Sequence, residues 1–546
     1  MRGSIICFLA MISGVSVVPA ADSDIRLSSL GYLPGFSKKA TIVVECSNFV
    51  VRKAGDDSEV YTGAAAGPVR QDDVDQNVWI ADFSGFNTPG EYYLEVKGVG
   101  RTFDFDITGN AYDFAYFTSM RAFYLWRCGT ALSGEHSGDR FAQAACHLDD
   151  GYDDYIGNSG HQRDGTGGWH DAGDYGKYVV NAAITAGCLF LAWDHFQEKL
   201  QNKALDLPET GRGMPDFLAE LKWEVDWMLK MPYPDKSGRV SHKLTRLNFS
   251  GFVMPDTDKE KRYFTVWSSA ATADFVATMA MAARYFEPYD AAYAQTCREA
   301  ATRSYEFLKN NPDDERFRQG DFRTGAYGTR DPDDRLWAAA EMWETTGKAE
   351  YLKDFEARAG ALENMIDENW DWQNVQNLGM FTYILSKREG RSSQLVERIR
   401  KDVLVVADTL VNKGNQDVYG RPLAGRYYWG CNGTVARQTI NLHVANMISP
   451  NSDYLNMAVD AISHLFGRNF YGRSYVTGLG HNPPLYPHDR RSGADEIAAP
   501  WPGYVVGGGH SATDWHDEQE DYRTNEIAIN WQGALVYALA AFVSSN

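Results

Sequence analysis

Two aspartates three residues apart, Asp171 and Asp174, stand in the stretch 167–179, GGWHDAGDYGKYV. Gly167, Gly168, Gly173 and Gly176 let the backbone turn tightly there, and Trp169, Tyr175 and Tyr178 add flat rings. A close carboxylate pair can hold and polarise a water, and ring faces stack on the apolar face of a pyranose. That combination suits the cutting of sugar. The same spacing also fits a DxxD helix cap, with Asp171 near the start of the helix that follows.

Three further clusters carry chemistry. Cys128, Cys146, His147 and His170 offer two thiolates and two imidazoles, a set that suits tetrahedral zinc although its spacing is not that of a zinc finger. Free thiols beside ordinary loop histidines account for the same residues. The stretch 474–493, SYVTGLGHNPPLYPHDRRSG, has too many glycines and prolines for a helix. It reads as a rigid loop presenting His488, Asp489, Arg490 and Arg491, whose His and Arg can donate to sugar hydroxyls. The alternative is a solvated Arg and His paired with Asp489 or Asp495. Finally, Asp514, Asp517, Glu518, Glu520, Asp521 and Glu526 crowd ahead of an apolar helix. An acid pressed by like charges and leaning on apolar surface has a raised pKa, as a general acid requires. Helix-dipole preference explains Asp521 and Glu526 singly, but not six acids with interleaved Trp515, His516 and Tyr522.

The elements that must position these groups fall into two regions. Residues 1–20 read as a secretory signal: Arg2, an apolar run, then Val18-Pro19-Ala20. No later run reaches the roughly 18 uninterrupted apolar residues of a membrane span, so an exported, soluble protein is expected, extracellular or periplasmic if retained. From 22 to 108 short β-rich runs such as KATIVVEC, VWIADFSG, GEYYLEVKG and RTFDFDIT alternate with turn signals. An immunoglobulin-like β-sandwich fits, as a packing module or as a separate sugar-binding one. From 109 to 546 the apolar period is helical, about ten to twelve helices joined by long Gly/Pro/Asp-rich loops. A closed double ring of helices and an open solenoid both fit that period. Every cluster above lies in a loop, where long loops of compact domains carry function.

Composition excludes more than it identifies. A net charge of -20 argues against nucleic acid or anionic lipid as partner, and 15 Trp with 30 Tyr suit a sugar-handling surface. Besides Cys7 in the signal, Cys46, Cys128, Cys146, Cys188, Cys297 and Cys431 could pair outside the cell. Cys188 and Cys297 lie in helix-like surroundings where a buried thiol is expected.

The motifs together resemble glycoside hydrolase family 9, the inverting cellulases, in the subgroup with an N-terminal immunoglobulin-like domain. GGWHDAGDYGKYV resembles the family's DAGD segment, SYVTGLGHNPPLYPHDR its His-x-Arg signature and WHDEQEDYRTNEIAIN its last signature. The resemblance implies an (α/α)6 barrel, Asp174 as general base, Asp171 as second holder of the water and Glu526 as general acid. It implies His488 and Arg490 at the sugar, Asp517 in an electrostatic or structural part, and Trp429 stacking on glucose. Base and acid would stand roughly 6.5–9.5 Å apart, with inversion. It further implies a structural zinc on Cys128, Cys146, His147 and His170, and no organic cofactor. Calcium is a further implication, with Asp331, Asp333 and Asp334 as candidates although Arg335 lies among them. The pattern departs at Asp489, where a second His is usual, at Gln532-Gly533, and at Gly507–His510. Asp489 beside the sugar would shift preference, for example toward an amino sugar. The expectation is a monomeric endo-β-1,4-glucanase on cellulose or mixed-linkage glucan. The alternatives are exo-action on cello- or glucosamine oligosaccharides, or a non-catalytic glucan binder. With four residues after Phe542, no dockerin or cellulose-binding module is expected, and soluble or amorphous glucan is the expected substrate form.

Overall fold

A computed structural model describes residues 24–138 and 140–545; the signal expected at 1–20 lies outside them. The first region is a two-sheet sandwich. One sheet runs Ile25–Arg26, Lys39–Ile42, Gln76–Asp82, Ala66–Gln71, and the other Glu59–Ala64, Asn48–Lys53, Gly90–Val96, Gly100–Arg101, with Phe105–Ile107 also paired to Gly90–Val96. Inward alternation builds its core: Ala40, Ile42, Phe49, Val51, Tyr92, Leu94 and Val96 are all buried between the sheets. The strands Asn48–Lys53 and Glu59–Ala64 were not among the runs read from sequence. Their outer positions are mixed, and only Phe49 and Val51 mark the inner face.

The remainder is helical. Twelve helices of ten residues or more are present among the described residues. Six form an inner ring: Val179–Leu200, Ser269–Phe286, Pro332–Thr346, Gln376–Leu385, Cys431–Ile448 and Ile529–Ala540, each packing on the next except between Gln376–Leu385 and Cys431–Ile448. Between Gln376–Leu385 and Cys431–Ile448 the ring closes through Asn441, whose Oδ1 accepts from Asn377 Nδ2 at 3.3 Å and Trp370 Nε1 at 3.2 Å. That closure selects the double ring over the solenoid. Inner helices are buried on nearly every side: Val179–Trp193 is buried throughout and largely apolar, while Cys431–Ile448 buries polar groups such as Arg437, Gln438 and Asn441 as well. Outer helices show one stripe, as in Ser393–Gln416, where Leu395, Ile399, Val403, Ala407 and Leu410 face in.

The sandwich sits on the barrel through polar contacts as well as apolar ones. Arg468 donates to Thr41 Oγ1 at 3.2 Å, Val418 O at 3.2 Å and Asp460 Oδ1 at 3.3 Å, and Asp460 also receives Lys39 and Ser37. Tyr419 donates to Gln76 Oε1 and accepts from Arg26. Through these bonds the sandwich braces the segment that leads to Tyr428 and Trp429. Arg468→Ala is expected to cost about 3 kcal/mol, because Asp460 stays buried with its charge less compensated. An unchanged denaturation midpoint would refute this.

Candidate active site

The 167–179 stretch folds as a loop, then the short strand Lys177–Tyr178 paired to Lys243–Thr245, then the helix from Val179. Neither aspartate caps that helix, whose N-cap is Tyr178, so the DxxD-cap alternative is overturned. The backbone of the loop is fixed from within, where Asp171 N donates to Gly176 O, and from outside, where Ile529 N donates to Asp171 O. Gly173 has no room for a side chain, since a Cβ there would lie 2.2 Å from His488 O. Arg490 N also donates to Gly173 O, which locks the two loops together.

The two carboxylates have different surroundings. Asp171 is tied at both oxygens, by Asn181 Nδ2 at 2.7 Å and by the Tyr327 hydroxyl at 2.8 Å. Burial, then the charge of Asp174, push its pKa well up. Asp174 accepts from Gly176 N at 2.9 Å and the Tyr178 hydroxyl at 3.0 Å, both on Oδ2. Among the described residues no donor is bonded to Oδ1. Glu526 keeps a partly open face while protein surrounds it closely. Its pKa is raised well above the usual value by burial first, then by Asp174 and Asp171, with Arg490 opposing. The like charges that act on it thus come from the far loop. Of the neighbouring acids, Asp514 accepts from Ser511 N, Asp521 caps the short helix Tyr522–Asn525, and Asp517 takes Arg473 and the amides of Leu485 and Tyr486. Asp517 therefore clamps the 474–493 loop.

Asp171, Asp174 and Glu526 line one cavity of about 320 Å³, together with Phe249, Tyr327, Trp372, Tyr428, Trp429 and Trp531. Trp429 is exposed, as stacking requires. Two of the rings expected beside the aspartates are placed otherwise. Trp169 and Tyr175 are buried, the first donating to Glu220 and the second to Val253 O. His488 and Arg490 are held beside the cavity, His488 Nδ1 on Gln519 O at 2.7 Å and Arg490 Nε on Ser250 O at 3.0 Å. Burial lowers the His488 pKa, which favours a neutral imidazole. Asp489 does not reach toward sugar: it is buried in a pair with Arg491 at 3.1 Å and accepts from Ser492. The amino-sugar argument built on it falls. Of the three rings expected beside the aspartates only Tyr178 lines the cavity; Asn181, Tyr327 and Lys243 were not singled out from sequence, since each is an ordinary helix, loop or strand residue until the chain folds.

The two thiols and two imidazoles do converge. The ligand atoms of Cys128, Cys146, His147 and His170 are all buried and within 4.8 Å of one another. The Cys128 Sγ to His147 Nδ1 distance is 3.7 Å and the Cys146 Sγ to His170 Nε2 distance 3.9 Å, against about 3.5 Å for S and N on one tetrahedral zinc. Asp258 lies 3.7 Å from His147 Nε2, placed to orient that ring. The donor set therefore fits a metal. No disulfide forms among the six described cysteines. Asp331, Asp333 and Asp334 do not fit calcium as a group. Asp331 pairs with Arg335 at 2.5 Å, Asp333 accepts from Val375 N, and Asp334 is buried beside Asp274.

A barrel of paired helices with an aspartate pair, a buried glutamate of raised pKa and an aromatic-lined cavity fits an acid–base enzyme acting on carbohydrate. Residues 112–539 match glycosyl hydrolase family 9, and residues 20–101 match the cellulase N-terminal ig-like domain. The chain belongs to that family and is a glycoside hydrolase of cellulase type. It is 56% identical over 527 residues to Endoglucanase D of Acetivibrio thermocellus, covering 96% of this chain and 84% of that one. It is 30% identical to the xyloglucan-specific endo-beta-1,4-glucanase BoGH9A of Bacteroides ovatus, covering 98% of this chain and 95% of that one. The crystal structure of a Zn-binding triple mutant of the family 9 endoglucanase J30 superposes with a TM-score of 0.88 at 31% identity, covering 94% of this chain and 100% of that one.

Proposed function

We propose that this hydrolase is an endo-β-1,4-glucanase that cuts cellulose or mixed-linkage glucan with inversion. One observation carries the reading: two carboxyls with different surroundings line one cavity. Glu526 is held toward its protonated form by burial and by two aspartates. Asp174 receives two hydrogen bonds on Oδ2 and has no donor on Oδ1 among the described residues. In this mechanism Asp174 Oδ1 takes a proton from the attacking water, and Glu526 gives its proton to the leaving glycosidic oxygen. Asp171, fixed by Asn181 and Tyr327, holds the water from the other side. Trp429 and its neighbouring rings carry the chain.

Zinc is the proposed metal at Cys128, Cys146, His147 and His170. Four protein ligands fill a tetrahedral shell, so it would supply a crosslink beside Asp171 and no activated water. Export directed by residues 1–20, and a monomeric state, belong to the same proposal. The test is hydrolysis of carboxymethylcellulose and barley glucan with viscosity and reducing ends followed together. A fast viscosity fall with few reducing ends supports endo-action; release of short sugars at constant viscosity refutes it.

A further inference from the structure

Lys243 is fully buried and belongs to no ion pair among the described residues. Its ammonium donates to Gln319 Oε1 at 3.0 Å, Thr324 Oγ1 at 3.0 Å and Gly325 O at 2.6 Å. A buried cation held only by neutral acceptors costs stability unless a charge nearby compensates it. The carboxylate that faces it is Asp174, which opposes the burial that lowers the Lys243 pKa to about 7. Between the two lies Tyr178, also buried, whose backbone pairs with that of Lys243 in the short sheet. The Tyr178 hydroxyl accepts from Gly325 N at 3.1 Å and donates to Asp174 Oδ2 at 3.0 Å. The same glycine is thus held at its carbonyl by Lys243 and holds Tyr178 with its amide.

We propose that Lys243 and Tyr178 are positioning residues for the general base: Lys243 fixes the 319–325 segment, its Gly325 amide fixes the Tyr178 hydroxyl, and that hydroxyl aims Oδ1 of Asp174 at the water. This rests on the reading of Asp174 as base. The aim follows from valence: with Oδ2 occupied by Gly176 N and Tyr178, rotation of the carboxylate is blocked and Oδ1 is left for the proton. The ammonium adds a field favouring the ionised base. It opposes Asp171 on the same loop and Glu526 across the cavity, both acids facing Asp174, while Arg490 acts on Glu526.

The test is the pH profile of kcat/KM on cello-oligosaccharides for Tyr178→Phe, Lys243→Met, their double variant and Lys243→Arg. Each single variant removes a hydrogen-bond donor or a positive charge from beside the base, so the acidic limb should move up by about one pH unit. At the optimum kcat should fall about tenfold with KM little changed. The double variant should be no worse than the poorer single one, because both act through one relay, and Lys243→Arg should restore the limb. Profiles lowered at every pH without movement of the limb, or additive losses, would overturn the relay. Tyr178→Phe keeps the whole ring and so decides the matter even where Lys243→Met does not fold. Asp174→Asn separates the two levels. If that variant stays active the base assignment itself fails, whereas an inactive Asp174→Asn with unmoved limbs in the single variants removes only the relay.

Discussion

Glu526→Gln lowers kcat on glucan by about 10²–10⁴-fold while KM changes little, because the amide keeps the shape and loses the proton. The structural basis is the raised pKa of Glu526, caused first by burial and then by the charges of Asp174 and Asp171. A raised pKa places the acid on the basic side of the profile. Activity is present while Glu526 is protonated and disappears as pH rises through its pKa. The variant should therefore lose that basic limb. It should also lose much less on an aryl cellobioside, whose leaving group departs without a proton. Equal losses on glucan and aryl glycoside would show that Glu526 supports the fold and not the leaving group.

Removal of the metal has the second large effect. Cys128 follows the helix Asp113–Leu125, His147 ends the next loop, and His170 directly precedes Asp171. A bound ion would tie these three stretches at one buried point, adding to the backbone bonds from Cys128 N to Gly168 O and from His170 N to Trp126 O. A zinc-trapping chelator, or Cys128→Ser, should lower the midpoint of thermal unfolding by about 10 °C. Metal analysis should give one zinc per untreated chain and none after treatment. Activity should fall only as the Asp171 loop loses order, since no ligand position is open for catalytic water. Metal-free protein with an unshifted midpoint would defeat the structural role.

The resemblance and the periodicities carried well where a signal is local or ordered along the chain. The helical period from residue 109 onward became a closed ring, and the Asp171, Asp174 and Glu526 side chains meet at one cavity. Misreadings came where a side chain could point either way. Asp489 reads as an acid beside sugar but is buried against Arg491, and Trp169 and Tyr175 read as exposed rings but pack inside. Asp331, Asp333 and Asp334 read as a calcium cluster, yet each goes to a different partner, because successive residues on a helix face different ways.

By itself, then, the sequence determined the family and the order of the two regions, and it put forward Asp171, Asp174 and Glu526 as candidate carboxyls, because motif spacing and apolar period survive without coordinates. Only the tertiary structure decided which groups act on those carboxyls. The charges that raise Glu526 come from residues some 350 positions earlier, the partners of Asp171 from Asn181 and Tyr327, and the Tyr178 hydroxyl on Asp174 is itself held by the amide of Gly325. Hydrogen bonds and desolvation act over a few ångströms of space, whatever the distance along the chain.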